Sequence, residues 1–171
     1  MGCSVAVVEH PLRLAAAEAL CGTLRSAHGV QAVALAADAT DVVQVEASFV
    51  AAAAALGAEV NVVVSTVGGG GVAPDGGLRN QGADMEGRPR TEHAHEESWE
   101  TTLRILAVTQ FSAHHCCKAA ARHMIAGGRG GSIIVVGSIM AEFNHPTSSA
   151  YTSSKVRKTP SWSRSGSNFS L

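Results

Sequence analysis

Short β-branched runs that alternate with long helical stretches restrict this chain to one class of fold. Val5-Ala6-Val7-Val8 is apolar and ends at Glu9. A helical pattern follows, roughly Leu12 to Ala27, with Leu12, Ala16, Leu20 and Leu24 along one face and Gly29 as its stop. Gln31 to Ala36 predicts the next strand, closed by Asp38. Thr40-Asp41 is a helix start, Val42 to Leu56 the helix and Gly57 its end. Glu59 to Ser65 predicts a third strand. Strands joined through helices need crossover connections, so the sheet is expected to be parallel and doubly wound, an α/β fold with flanking helices.

The chain has 171 residues, 46% apolar and 16% charged, with 18 glycines and little aromatic content. One domain is the natural expectation for that length. A formal net charge of −1 leaves no basic field for nucleic acid. No apolar run reaches the ~18 residues of a spanning helix, and the N-terminal residues lack a basic secretory region, so no membrane partner and a cytoplasmic location are expected. Cys3, Cys21, Cys116 and Cys117 show neither metal nor disulfide spacing and read as reduced thiols.

The chemistry concentrates between Ser138 and Lys155. Ser132 to Gly137 is an apolar, β-branched run that predicts a buried strand. Ser138 follows it. Tyr151, the only tyrosine, stands thirteen residues on, and Lys155 four residues after that. On a helix, residues four apart share a face. An ammonium beside a phenol favours the phenolate and suits the phenol to acid/base work. A serine hydroxyl at a neighbouring strand end can hold a carbonyl or alcohol oxygen against that phenol. The competing reading makes Tyr151 and Lys155 a solvated helix start and Ser138 a turn residue.

This Ser, Tyr-x-x-x-Lys arrangement after a buried strand resembles the short-chain dehydrogenase/reductase family. The resemblance implies a Rossmann-like sheet and NAD(P)-linked hydride transfer between a secondary alcohol and a ketone. It gives Ser138 the orienting hydroxyl, Tyr151 the proton, and Lys155 the tuning of the phenol and a contact to the nicotinamide ribose. It sets Glu9 against the adenosine ribose hydroxyls, which favours NAD over NADP because a carboxylate repels a ribose phosphate. It sets Asp38 near the adenine amine, although a turn or cap role fits Asp38 equally. Val64-Ser65-Thr66-Val67-Gly68 lies where the family has Asn-Asn-Ala-Gly, with only Gly68 kept, and Gly68 is therefore a cofactor-side candidate.

Gly68 to Ser98 is polar and glycine-rich, and its composition predicts a disordered loop. His93 and His95 within it could ligate a metal, but a solvated loop is the expected reading. Trp99 to Ala126 predicts one long helix, with Leu103, Leu106, Phe111 and Met124 among its apolar residues. The family carries an asparagine on this helix. Counting back from His123 puts Thr109 in its place, and counting forward from Trp99 puts Leu106 there. His114-His115-Cys116-Cys117 is expected to pack rather than to bind metal, since adjacent helical residues point apart.

The family's glycine-rich pyrophosphate turn precedes the second strand, and no GxxxGxG stands upstream of Glu9. The resemblance covers about residues 3–156. Residues 157–171 read as a polar, disordered tail that departs from the family, as after altered splicing or a shifted frame. An incomplete Rossmann-like domain over 1–156 is therefore expected, inactive or weakly active alone. Its unpaired strand edges offer an alternative role: homo-oligomerisation, or association with a full-length relative.

Overall fold

A computed structural model describes residues 2–68, 95, 97–142 and 149–155. The expected tail, His93 and most of the 68–98 loop lie outside the described residues. The chain divides into two compact units, Met1–Val63 with His114–Ile133, and Val64–Ala113 with Ile134–Leu171.

The first unit opens with β1 (Val5–Glu9), a 3-10 turn (Pro11–Arg13), α1 (Leu14–His28), β2 (Ala32–Ala36) and α2 (Val42–Leu56). β1 and β2 pair in parallel, Val5 on Ala32 through Glu9 on Ala36. Both helices pack against that pair, as parallel strands require. The helix ends follow local chemistry. The Asp41 carboxylate accepts from the Val43 and Gln44 amides, which otherwise lack partners in the first turn. Gly29 and Gly57 close α1 and α2 in the left-handed conformation that a Cβ disfavours.

One expectation is corrected here. The buried face of α1 runs through Ala17 and Cys21, while Leu12 and Leu20 are 58% and 48% exposed. The 3-10 turn takes up Pro11 to Arg13, so the helical phase begins only at Leu14. On α2 the buried residues are Val45, Ser48 and Ala52, three and four apart.

β3 (Val62–Ser65) pairs with β4 (Ser132–Val135). The Ser132 amide donates to the Asn61 carbonyl and the Val136 amide to the Ser65 carbonyl, both at 2.9 Å. The two registers advance together, so these strands are also parallel. The helical stretch expected over 99–126 comprises α3 (Trp99–Leu106), a π-helical turn (Ala107–Phe111) and α4 (Ser112–Ala126). In the first unit Met124 and Ala120 of α4 meet Val63, with Phe49, Val60, Cys116 and Ile133 around them. Fully burying a side chain of this size contributes roughly 1.5–3 kcal/mol.

The His-His-Cys-Cys run packs in part: His115 and Cys116 are half-buried, and His114 is exposed. Cys117 is buried, and burial pushes its thiol pKa up. His115 Nδ1 lies 3.2 Å from the Ala39 carbonyl oxygen. Among the described residues no three His, Cys, Asp or Glu side chains converge as metal ligands. No described helix is long and apolar enough to cross a membrane.

Candidate active site

In the second unit, β4 leads through Val136 and Gly137 to Ser138. This residue is extended, and its hydroxyl accepts from the Met140 amide at 3.2 Å, opening a 3-10 turn over Ile139–Ala141. α5 (Ser149–Lys155) packs against this turn, against α3 and against the π turn. Ala150, Thr152, Ser154 and Lys155 are buried, whereas Tyr151 is half-buried. Ser154 donates to the Tyr151 carbonyl at 2.6 Å and Ser153 to the Ala150 carbonyl at 2.9 Å.

Lys155 is 5% exposed, and its ammonium lies 5.5 Å from the centre of the Tyr151 ring. That is one helical turn, as the spacing implied. Beside them stands Gly68, where an added Cβ would come 2.7 Å from Lys155 Nζ and 3.7 Å from the Thr109 methyl. Thr109 is fully buried in the π turn. The Ser112 amide donates to Ala107, five residues back, and the Ser112 hydroxyl donates to the Val108 carbonyl instead. The Thr109 hydroxyl donates to the Ile105 carbonyl. Hydroxyls of Thr109, inside the π turn, and of Ser112, which follows it, thus each take a backbone carbonyl four residues back. Two further buried hydroxyls of this unit, on Ser65 and Thr152, have no hydrogen-bond partner among the described residues. Buried polar groups without partners are uncommon and mark functional candidates.

The matching family model is that of short chain dehydrogenases, over residues 1–158. The chain belongs to the short-chain dehydrogenase family. A 7α-hydroxysteroid dehydrogenase, solved with NADH and 7-oxo glycochenodeoxycholic acid, matches at 26% identity and TM-score 0.69, over 90% of this chain and 51% of that one. An NAD+-bound xylitol dehydrogenase shares the fold at 20% identity and TM-score 0.71, over 90% of this chain and 50% of that one. A short chain dehydrogenase from Burkholderia cenocepacia, solved with NADP, does so at 24% identity and TM-score 0.68, over 90% and 53%. The chain spans about half the length of these solved relatives. By sequence, no match is found among curated proteins.

The remaining candidates of this short-chain dehydrogenase, Glu9 and Asp38, stand together in the first unit at the C-terminal ends of β1 and β2. Glu9 Oε1 accepts from the His10 amide at 2.8 Å. Asp38 Oδ1 accepts from the Thr40 amide and hydroxyl, both at 2.8 Å, and Oδ2 lies 3.8 Å from His10 Nε2. The turn role weighed for Asp38 is therefore present, with one carboxylate oxygen left over from that turn. Sequence reading does not single out His10, because a lone histidine after a strand carries no motif. Of the two positions weighed on the long helix, Thr109 lies beside Gly68.

Proposed function

We propose that the chain carries the acid/base part of a hydride-transfer site acting on a secondary alcohol and its ketone, with NAD preferred to NADP. The observation that supports this reading best is the buried Lys155 ammonium one turn from Tyr151, on a helix packed against the turn that Ser138 opens. Tyr151 takes the proton from the alcohol oxygen in oxidation and returns it to the carbonyl oxygen in reduction. Lys155 places its positive charge one helical turn from that phenol. The Ser138 hydroxyl orients the substrate oxygen.

Each unit, taken by itself, carries residues that suit part of a nicotinamide cofactor. Lys155 supplies a cationic donor for ribose hydroxyls, and Glu9 supplies an acceptor at a parallel strand end, where ligands of open α/β sheets bind. Glu9 also disfavours a ribose phosphate by charge, and Asp38 Oδ2 is the contact for the adenine amine. Gly68 borders the lysine rather than offering a side chain of its own. When bound, the cofactor supplies the hydride chemistry.

Turnover by this chain alone is weak in this reading. Among the described residues β1 pairs only with β2, and β3 only with β4. Val62 and Val64 on β3 are 57% and 54% exposed. Those strand edges also favour a second reading, a module that recruits a strand from another copy or a longer relative. Light scattering across a concentration series tests it, and a monomer throughout with ordinary thermal unfolding contradicts it.

NADH titration by fluorescence tests the leading reading. Saturable binding that weakens in Glu9→Ala is the expected result. A folded chain that shows no binding up to millimolar NADH overturns it.

A further inference from the structure

We propose that Gly68 is a positioning residue: its missing side chain holds open the place that the Lys155 ammonium occupies. The inference rests on the role proposed above for Lys155.

Glycine at position 68 is not required by the backbone. The positive-φ glycines of the described chain are Gly29, Gly57, Gly128 and Gly130, and Gly68 is not among them. What excludes a side chain is space. A Cβ there would stand 2.7 Å from Lys155 Nζ and 3.4 Å from Cε. Comfortable separation of non-bonded heavy atoms is roughly 3.5–4.0 Å. Toward Thr109 the same Cβ would sit at 3.7 Å, an ordinary contact. The overlap therefore falls on the end of the Lys155 side chain, and above all on its ammonium.

Lysine's stem is flexible, so an alanine at 68 displaces the ammonium rather than unfolding the chain. This separates a positioning role from a structural one. A packing glycine loses stability when replaced. A glycine that positions Lys155 keeps stability and loses what the ammonium does.

The test compares the parent chain with Gly68→Ala, Lys155→Ala and the double variant. In chain labelled with 13C-lysine, the Lys155 ε-methylene resonance is assigned by its loss in Lys155→Ala. Gly68→Ala is expected to move that resonance, leave those of Lys118 and Lys158 in place, and keep the thermal midpoint near the parent's. NADH affinity is expected to fall about tenfold, the loss of one hydrogen bond to a charged group. In the Lys155→Ala background, Gly68→Ala is expected to add nothing. An unmoved Lys155 resonance overturns the inference, as does an NADH loss that persists without the lysine. If the parent binds no NADH but the resonance moves, the functional reading fails while the hold of Gly68 on Lys155 stands. Should Gly68→Ala fail to fold, recovery of folding in the double variant supports the inference, and failure of both overturns it.

Discussion

The ends of β1 and β2 and the surroundings of α5 treat polar groups in opposite ways. At the strand ends, Glu9 and Asp38 lie near the surface and bind the backbone beside them: His10 for one, Thr40 for the other. Around α5, Lys155, Ser154 and Thr109 are 5%, 1% and 0% exposed. A local, solvated hydrogen bond contributes little net free energy, and the group survives without it. A buried cation is costly wherever its surroundings do not compensate it. Substitutions at the two places should therefore differ in kind. At the strand ends they change what the protein binds, and along α5 they change chemistry and stability together.

The largest effect is expected at the phenol. Tyr151→Phe should lower whatever turnover the chain shows, alone or with a partner, by about 100-fold or more, with NADH binding intact. Steady-state rates and an NADH titration check this, and equal turnover in both chains removes Tyr151 from the chemistry. Next comes a direct contrast of the two regions. Lys155→Met keeps most of the side-chain volume and relieves burial of a charge, so the thermal midpoint should rise while NADH affinity falls about tenfold. Glu9→Ala should weaken NADH with no gain in midpoint. If Lys155→Met unfolds the chain, the contrast between the regions breaks.

A smaller effect sharpens the same contrast inside the first unit. Burial raises the Cys117 thiol pKa above its ordinary value of 9.0, so the folded chain holds that proton more tightly than the unfolded chain. The associated stability is present at neutral pH and is lost as pH rises past 9.0. Thermal scans of parent and Cys117→Ser should converge toward high pH. The smallest effect is at an exposed cap. The Gln44 side chain, then the Gln44 and Val43 amides, lower the Asp41 pKa from 3.8. Its stabilisation is present above that value and fades below it. Asp41→Ala should thus lower the thermal midpoint modestly at neutral pH, by an amount that narrows in acid, and Asp41→Asn should keep most of the cap.

Sequence alone determined what depends on near neighbours. The α2 helix begins at Asp41 and ends at Gly57 because a carboxylate two and three residues before an amide can cap it, and because a left-handed residue suits glycine. The parallel pairing of β1 with β2 followed from the crossover helix between them. Tyr151 and Lys155 shared a helical face because their spacing is one turn. Tertiary structure decided the rest. The buried face of α1 was not legible from its leucines, since a 3-10 turn set the phase and the neighbouring strands chose Ala17 and Cys21. Leu106 and Thr109 could not be separated by counting, because a π turn breaks the helical phase between Trp99 and His123. The reason for glycine at position 68 lies at Lys155, far along the chain. Caps and spacings arise from bonds between residues close in sequence, whereas facing, phase and close approach arise from which surfaces meet in space.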